Sequence, residues 1–255
     1  MPKDPNKKLA QLLLQACIAH GVEQVVISPG SRNAPLTLGF VNHPAVEAFS
    51  IVDERCAAFL ALGMAQQSRR PVALLCTSGS ALLNYYPAIA EAYYSKIPLI
   101  VISADRPSHL IDIGDGQTIR QSGVFANHII FETNLESEDG CPDEDHVVRI
   151  LSNNDREIVK ALEAATENMG PVHINIPFDE PLYETVEHLY DFGSINLQKE
   201  STPATSLLKE TPIPLAELEK FASVWNRSAK KMVLIGSNFP DELLQTQMEH
   251  LVKDP

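Results

Sequence analysis

The chain alternates short, continuous apolar runs with segments of helical periodicity, and this pattern restricts the folds open to it. Apolar runs of this length indicate strands buried on both faces, and they occur at 24–28, 46–52, 71–76, 97–103, 129–133 and 171–176. The segments between them carry apolar residues three and four positions apart, as at Leu9, Leu12, Leu13 and Ala16. The sequence therefore predicts an α/β fold, with a parallel sheet that helices cover on both faces.

The predicted helices lie at 6–19, from Pro35, from Glu54, at 81–94 and at 155–168. The helix at 81–94 must tolerate Pro87, which has no backbone N–H to donate. Residues 104–123 are predicted to be a loop with at most short helical pieces. The acidic stretch 136–145 is predicted to be a solvated loop.

Polar residues directly follow four of the predicted strands. The four turns are Ser31-Arg32, Asp53-Glu54, Ser78-Gly79 and Asp105-Arg106. Ligands of open parallel sheets bind beyond the carboxyl ends of the strands. We therefore expect these turns to converge at one edge of the sheet and to form one site.

Charge and composition exclude several classes of partner. The net charge of −13 argues against nucleic acid or an anionic membrane as the main partner. No apolar run reaches membrane-spanning length and no signal peptide is visible, so we expect a cytoplasmic protein. The four cysteines have no metal-ligand spacing. Cys17, Cys56 and Cys76 lie in apolar runs, and we expect them to be reduced core residues.

The character of the chain changes after the sixth predicted strand. We expect one domain over 1–184, a polar and proline-rich linker over 185–213, and the start of a second, Rossmann-like domain over 214–255. The last segment offers only a helix at 215–228, a strand at 231–235 and a helix at 241–252, which are too few to bury a core. The chain is therefore interpreted as the N-terminal piece of a longer protein. Docking of this tail on the first domain is the alternative.

The stretch after the second predicted strand combines an acid with small side chains. Asp53 is a predicted helix N-cap, and Ala57, Ala61 and Ala65 form a stripe that would let another helix come close. An acid such as Glu54 is common in a first helical turn because it complements the helix dipole, and this interpretation is favoured for Glu54 taken alone. The pattern Glu-x-x-Ala-Ala-Phe-x-Ala-x-Gly-x-Ala, however, resembles the pyrimidine-binding domain of thiamine-diphosphate (ThDP) enzymes. The resemblance implies that Glu54 is catalytic and hydrogen-bonds the aminopyrimidine ring of the cofactor, and that its helix packs at a dimer interface.

Three further motifs are candidates for ligand binding. Ser31 and Arg32 lie at a predicted helix start and could hold a carboxylate, although their Pro-Gly context can also mean a turn alone. Ser78 lacks the flanking glycines of a nucleophile elbow, so its turn is expected to bring backbone close to a ligand. Arg106 is a candidate as well, although a surface Asp-Arg pair before a proline is the favoured interpretation of its motif taken alone. Gln117 has an amide that can both donate to and accept from a bound intermediate.

No metal site is predicted. The Gly114-Asp115-Gly116 run resembles the metal motif of ThDP enzymes, but no strand precedes it and the nearest Asn-Asn pair, at 153–154, lies too far along the chain. The eight histidines are scattered, without a pair at ligand spacing.

Five motifs in order narrow the resemblance: Ser-Pro-Gly-Ser-Arg-Asn-Ala-Pro, Asp-Glu-Arg-x-Ala-Ala-Phe, Thr-Ser-Gly-Ser-Ala, Ser-Ala-Asp-Arg-Pro and Gly-Gln-Thr-Ile-Arg-Gln. Together they resemble the family of 2-succinyl-5-enolpyruvyl-6-hydroxy-3-cyclohexene-1-carboxylate (SEPHCHC) synthases, transferases of menaquinone biosynthesis. The resemblance implies that Ser31, Arg32, Arg106 and Gln117 bind substrate carboxylates and the intermediate. It implies that Glu54, Ser78 and Gly79 bind ThDP. One departure is Asp115-Gly116 before Gln117, where relatives often have other residues.

The same resemblance implies a reaction and partners. These enzymes decarboxylate 2-oxoglutarate on ThDP and add the succinyl unit to isochorismate, with Mg²⁺ bound through a C-terminal domain that this chain lacks. The active site is shared between subunits of a homodimer or higher homo-oligomer, so this piece alone is expected to be inactive. Two alternatives stay open: another ThDP carboligase or decarboxylase of the acetolactate-synthase type, and a non-catalytic binding or assembly module on the same fold.

Overall fold

The structure is a computed structural model that describes residues 4–192, 213–236 and 240–253. The chain divides into two compact units, Met1–Leu207 and Leu208–Pro255. Each unit is described by itself below.

The first unit is built on one parallel sheet. In chain order its strands are β1 (Asp4–Pro5), β2 (Gln24–Ile27), β3 (Glu47–Ser50), β4 (Val72–Cys76), β5 (Leu99–Asp105), β6 (Phe131–Asn134), β7 (Val172–Pro177) and β8 (Thr185–Val186). Six of them form the sheet in the order β3-β2-β4-β5-β7-β6, and every neighbouring pair is parallel. The predicted α/β fold and its six strands are therefore confirmed. The short strands β1 and β8 pair with each other, antiparallel.

Helices cover both faces of this sheet. They are α1 (Lys8–Ala19), α2 (Ala34–Asn42), α3 (Glu54–Ser68), α4 (Ser80–Leu83), α5 (Tyr86–Ser95) and α6 (Glu144–Glu167), with a short 3₁₀ turn at Ser108–Leu110. One apolar cluster joins α1, α2 and α6 to the sheet through residues such as Leu13, Phe40 and Ile158. A second joins α3, α4 and α5 to the other face through residues such as Leu82 and Ile89. This two-faced burial explains why the central strands are apolar along their whole length.

The small residues of α3 pack inside this chain. Ala57, Ala61 and Ala65 are fully buried, together with Ala88 and Ala92 of α5 in the same cluster. Side chains this small let the two helices approach closely, as the sequence predicted. The opposite face of α3 is the one that presents large apolar groups, since Phe59 and Leu60 are 43% and 39% exposed.

Two predicted helices differ from those observed. The segment 81–94 forms two helices, and Pro87 lies in the first turn of α5, where its missing N–H has no partner to lose. Helix α6 starts at Glu144, eleven residues before the predicted start at 155. Asp143 caps it by accepting from the His146 N–H at 2.9 Å. Acidic residues at 144 and 145 complement the helix dipole, so the end of the predicted acidic loop is helical.

The first residues of the predicted linker pack on the first unit. Strand β8 pairs with β1, and Phe192 is 5% exposed within the core cluster of α1 and α6. Residues 193–212 lie outside the described part of the chain, so the domain boundaries stay a prediction.

The second unit contains α7 (Leu215–Arg227) and α8 (Glu242–Lys253), neither of which has a buried residue. Residues 231–236 are irregular, so the predicted strand at 231–235 is wrong. A strand needs a neighbour to pair with, and the described residues of this unit provide none. The described part of this unit thus has no core of its own.

The cysteines are all free. Cys17 and Cys76 are buried, as predicted, and burial raises the pKa of the Cys17 thiol to about 12. The prediction for Cys56 is wrong, because this residue lies on the exposed face of α3. Over the residues described, no helix is long and apolar enough to cross a membrane.

Candidate active site

The four predicted turns lie at one edge of the sheet, because β2, β3, β4 and β5 run parallel and end there. Hydrogen bonds connect the turns to one another. The Arg32 N–H donates to Thr77 Oγ1 at 3.3 Å, which joins the turns after β2 and β4. Arg106 Nη1 donates to Ser78 Oγ at 2.5 Å, which joins the turns after β4 and β5. These contacts bring three of the turns into one cluster.

Glu54 lies in the first turn of α3 and is half-buried. Asp53 performs the capping, since its Oδ1 accepts from the Cys56 N–H at 2.8 Å. No hydrogen bond or ion pair joins the Glu54 carboxylate to any residue in the described part of the chain. The Glu54 carboxylate affects Cys76 at the end of β4. Burial raises the pKa of the Cys76 thiol, and the negative charge of Glu54 raises it further. Burial likewise raises the pKa of Tyr85, with a further contribution from Glu54.

Hydrogen bonds and one close contact hold the turn after β2 in place. Tyr85 is fully buried, and its hydroxyl contacts Ser28 Oγ at 3.1 Å and the Leu75 carbonyl at 2.9 Å. Asn33 donates to the Ser28 carbonyl and accepts from the Gly30 N–H, both at 2.9 Å. A Cβ on Gly30 would lie only 2.5 Å from Thr77 Cβ, so glycine is required for this close approach.

Ser31 and Arg32 occupy different environments on this turn. Ser31 is exposed, whereas Arg32 is 8% exposed. Arg32 Nη1 donates to the Phe178 carbonyl at 2.9 Å, and its Nη2 lies 3.8 Å from Glu180 Oε1. The guanidinium therefore ties the turn after β2 to the segment after β7.

Arg106 is the centre of the cluster. Besides Ser78, its guanidinium donates to the Gln117 carbonyl at 3.2 Å and the Gly116 carbonyl at 2.6 Å, and it forms an ion pair with Asp115. Its hydrogen bond to Asp115 lowers the pKa of that carboxyl, and the charge of Arg32 lowers it further. The positive charges of Arg32 and Arg106 thus both act on the Asp115 carboxyl.

Gly79 allows Gln117 to lie against the turn after β4. Its φ of +87° falls in the left-handed region, and a Cβ there would lie 2.2 Å from the Gln117 carbonyl oxygen. Gln117 Nε2 donates to the Ser78 carbonyl at 3.1 Å. Ser78, Gly79, Arg106 and Gln117 are therefore in direct contact, while Glu54 and Ser31 share the edge without joining this set of hydrogen bonds.

The sequence pattern predicted no role for Gln121, a buried residue that hydrogen-bonds to the backbone of the cluster. Its side chain is 1% exposed; Oε1 accepts from the Gly79 N–H at 2.7 Å, and Nε2 donates to Asn175 Oδ1 at 2.7 Å. Asn175 donates in turn to Asp105 Oδ2 at 2.8 Å. The only available signal was the position of Gln121 four residues after Gln117, within the same motif.

The cluster is rich in donors and contains no metal ligand set. In the residues that the structure covers, no three His, Cys, Asp or Glu side chains lie close enough together to hold a metal ion. A half-buried carboxylate, a tight glycine turn and two arginines are instead suited to an organic ligand that carries anionic groups.

A comparison with protein families identifies the domain that carries this cluster. Residues 7–126 match the model of the thiamine pyrophosphate enzyme, N-terminal TPP binding domain. This domain belongs to the thiamine pyrophosphate enzyme family. The matched segment of this ThDP-enzyme domain extends from the start of α1 to the loop before β6, and it contains every predicted site residue.

Three curated relatives of this chain are SEPHCHC synthases. The SEPHCHC synthase of Christiangramia forsetii is 50% identical over 254 residues, which cover 97% of this chain and 43% of that protein. The synthase of Flavobacterium psychrophilum is 51% identical over 98% of this chain and 42% of its own length. That of Desulfotalea psychrophila is 43% identical over 95% of this chain and 43% of its own length. The predicted resemblance to SEPHCHC synthases is confirmed, and the chain spans less than half the length of these relatives.

Proposed function

We propose that the full-length protein is a ThDP-dependent carboligase that decarboxylates 2-oxoglutarate and adds the succinyl unit to isochorismate, forming SEPHCHC. The observation that carries this proposal is the half-buried Glu54 carboxylate, which has no hydrogen-bond partner among the described residues and lies at the sheet edge that also holds the Arg106 cluster. The sequence similarity to SEPHCHC synthases supports the choice of substrates.

The residues present fit the aminopyrimidine of ThDP. When bound, the cofactor supplies the electron sink that decarboxylation of a 2-oxo acid requires. Glu54 is the group that would hold a proton at the ring nitrogen N1′, because its oxygens have no competing donor among the described residues. The Ser78-Gly79 turn would lie against the ring, in the conformation that Gln117 holds by packing on Gly79 and donating to the Ser78 carbonyl.

The arginines would orient the substrates. Both substrates carry carboxylates, and a guanidinium binds a carboxylate through a planar pair of donors. The chain as a whole is acidic, with a net charge of −13, so Arg32 and Arg106 are the cations at this edge that would attract these carboxylates. Gln117 would add an amide that can donate to and accept from the intermediate.

Two features are proposed from the family resemblance. Mg²⁺ would be held through a domain outside this chain, since the described residues offer no ligand set for it. The active site would form between two subunits of a homodimer or higher oligomer, with this domain supplying the Glu54 side.

The test is an assay of the full-length protein with ThDP and Mg²⁺. We expect CO₂ release from 2-oxoglutarate and formation of SEPHCHC when isochorismate is present, and no acetolactate from pyruvate. Turnover of pyruvate instead would favour an enzyme of the acetolactate-synthase type. Failure to bind ThDP would favour a non-catalytic module.

A further inference from the structure

The guanidinium of Arg106 is enclosed by its own chain. Nε donates to Asp115, Nη1 to Ser78 Oγ and the Gln117 carbonyl, and Nη2 to the Gly116 carbonyl. An arginine has five N–H donors, so most of its capacity is already used. The Arg106 side chain is only 13% exposed, whereas Asp115 is 38% exposed. A substrate carboxylate therefore meets Asp115 before it meets Arg106.

Asp115 is the negatively charged partner of Arg106. The hydrogen bond from Arg106 lowers the pKa of the Asp115 carboxyl, and the nearby charge of Arg32 acts in the same direction. Asp115 is thus an anion at neutral pH, in the position where a ligand carboxylate would use the same donors. The two carboxylates compete for one set of N–H groups.

The segment that carries Asp115 lies outside the packed core. Gly114 and Gly116 flank it, and a Cβ on either would meet no heavy atom within 4 Å. Gly114 has a φ of +86°, and after Asp115 the chain is held by the Gly116 carbonyl on Arg106 and by Gln117 against Gly79. Asp115 therefore borders open space, and its carboxylate can exchange Arg106 for water.

We propose that Asp115 is a specificity-determining residue: an internal counter-anion that a substrate carboxylate must displace from Arg106. This inference rests on the proposed function, because it takes a 2-oxo acid as the ligand. Exchange of one carboxylate for another keeps the charge of the site balanced. A neutral amide or ester cannot offset the loss of Asp115 from the guanidinium, so the site discriminates in favour of carboxylates.

The test compares the full-length parent protein with Asp115→Asn, which keeps the size of the side chain and removes its charge. We expect this variant to bind 2-oxoglutarate about fivefold more tightly in calorimetry with Mg²⁺ and an unreactive ThDP analogue, so that the ligand is not consumed; this is the effect of one partly exposed ion pair. The Michaelis constant for the same substrate should fall by the same factor, while the affinity for ThDP and the thermal midpoint stay at the parent values. Asp115→Ala should tighten binding in the same direction.

The matched control is Asp112→Asn in the same segment. Asp112 pairs with Arg120 at 2.8 Å, and that arginine is 79% exposed and outside the cluster. This variant should bind 2-oxoglutarate as the parent does. Unchanged or weaker binding in both Asp115 variants overturns the inference, and so does a parent that binds no 2-oxoglutarate. A parent that binds it but releases no CO₂ contradicts the proposed function alone, because the comparison of binding affinities still tests Asp115.

Discussion

At the scale of single residues, the division of labour between Asp53 and Glu54 is informative. Both are acids at the start of α3, where the helix dipole favours negative charge. Asp53 accepts the hydrogen bond that caps the helix, at 2.8 Å from Oδ1 to the Cys56 nitrogen. Glu54 is therefore not needed as the cap, although in the first turn it still complements the helix dipole. The catalytic role of its half-buried carboxylate stays a prediction.

Replacing Glu54 by Gln in the full-length protein should separate function from stability. The amide keeps the size of the side chain but is a poorer partner for a protonated ring nitrogen. We expect C2 proton exchange of bound ThDP, followed by NMR, to slow by about 10²-fold or more, the usual range for a lost acid–base group. The thermal midpoint should stay unchanged, because Glu54 makes no hydrogen bond to the described residues.

The neighbouring Asp53→Asn variant is the control for this experiment. Asparagine is as good an N-cap as aspartate, so the helix is kept while one nearby negative charge is lost. Its C2 exchange should match that of the parent. Unchanged exchange in Glu54→Gln would remove this residue from the mechanism.

At the scale of elements, α3 links the core to the site. Its alanine face packs against α5, and its first turn presents Glu54 at the sheet edge. The close packing of α3 and α5 fixes the axial position of that first turn, because protein interiors resist small displacements. The small side chains are thus a requirement of packing within this chain, and the predicted dimer contact would fall to the opposite face with Phe59 and Leu60.

A larger side chain on the alanine face should separate the two helices. Ala61 is fully buried, so Ala61→Leu adds three carbons where no room exists. Overpacking of this kind costs about 1–3 kcal/mol, and we expect a loss in that range in chemical denaturation. Gln66→Leu adds apolar bulk to the exposed face of the same helix, and its effect should stay within about 0.5 kcal/mol. Equal losses in both variants would contradict the packing account.

The other elements show where local patterns are sufficient. The central strands were predicted closely, because burial on both faces leaves an unbroken apolar run. Helix α6 was predicted too short because its acidic first turn has the composition of a solvated loop. The backbone hydrogen bonds and the capping contact of Asp143 show that this turn is helical, and composition does not reveal such contacts.

At the scale of the whole molecule, the described residues supply only some of the groups that the proposed reaction needs. The described residues provide the Glu54 edge, two arginines and no metal ligand set. We predict that this chain alone, mixed with Mg²⁺, ThDP, 2-oxoglutarate and isochorismate, releases no CO₂ above the protein-free background, as measured by a coupled bicarbonate assay. The full-length protein is the positive control. Turnover by this chain alone would refute the shared active site.

The sequence by itself determined the strand order along the chain, the polar turns after the strands and the family resemblance, because these depend on local periodicity and on residues close in sequence. It named Glu54, Ser78, Gly79, Arg106 and Gln117, all of which lie at the predicted edge. Only the tertiary structure decided which of these side chains are in contact. It also decided that Gln121 accepts from the Gly79 N–H and that Asp115 pairs with Arg106. The physical reason is that hydrogen bonds between turns depend on the lateral spacing of strands that are distant in sequence, which no local pattern encodes.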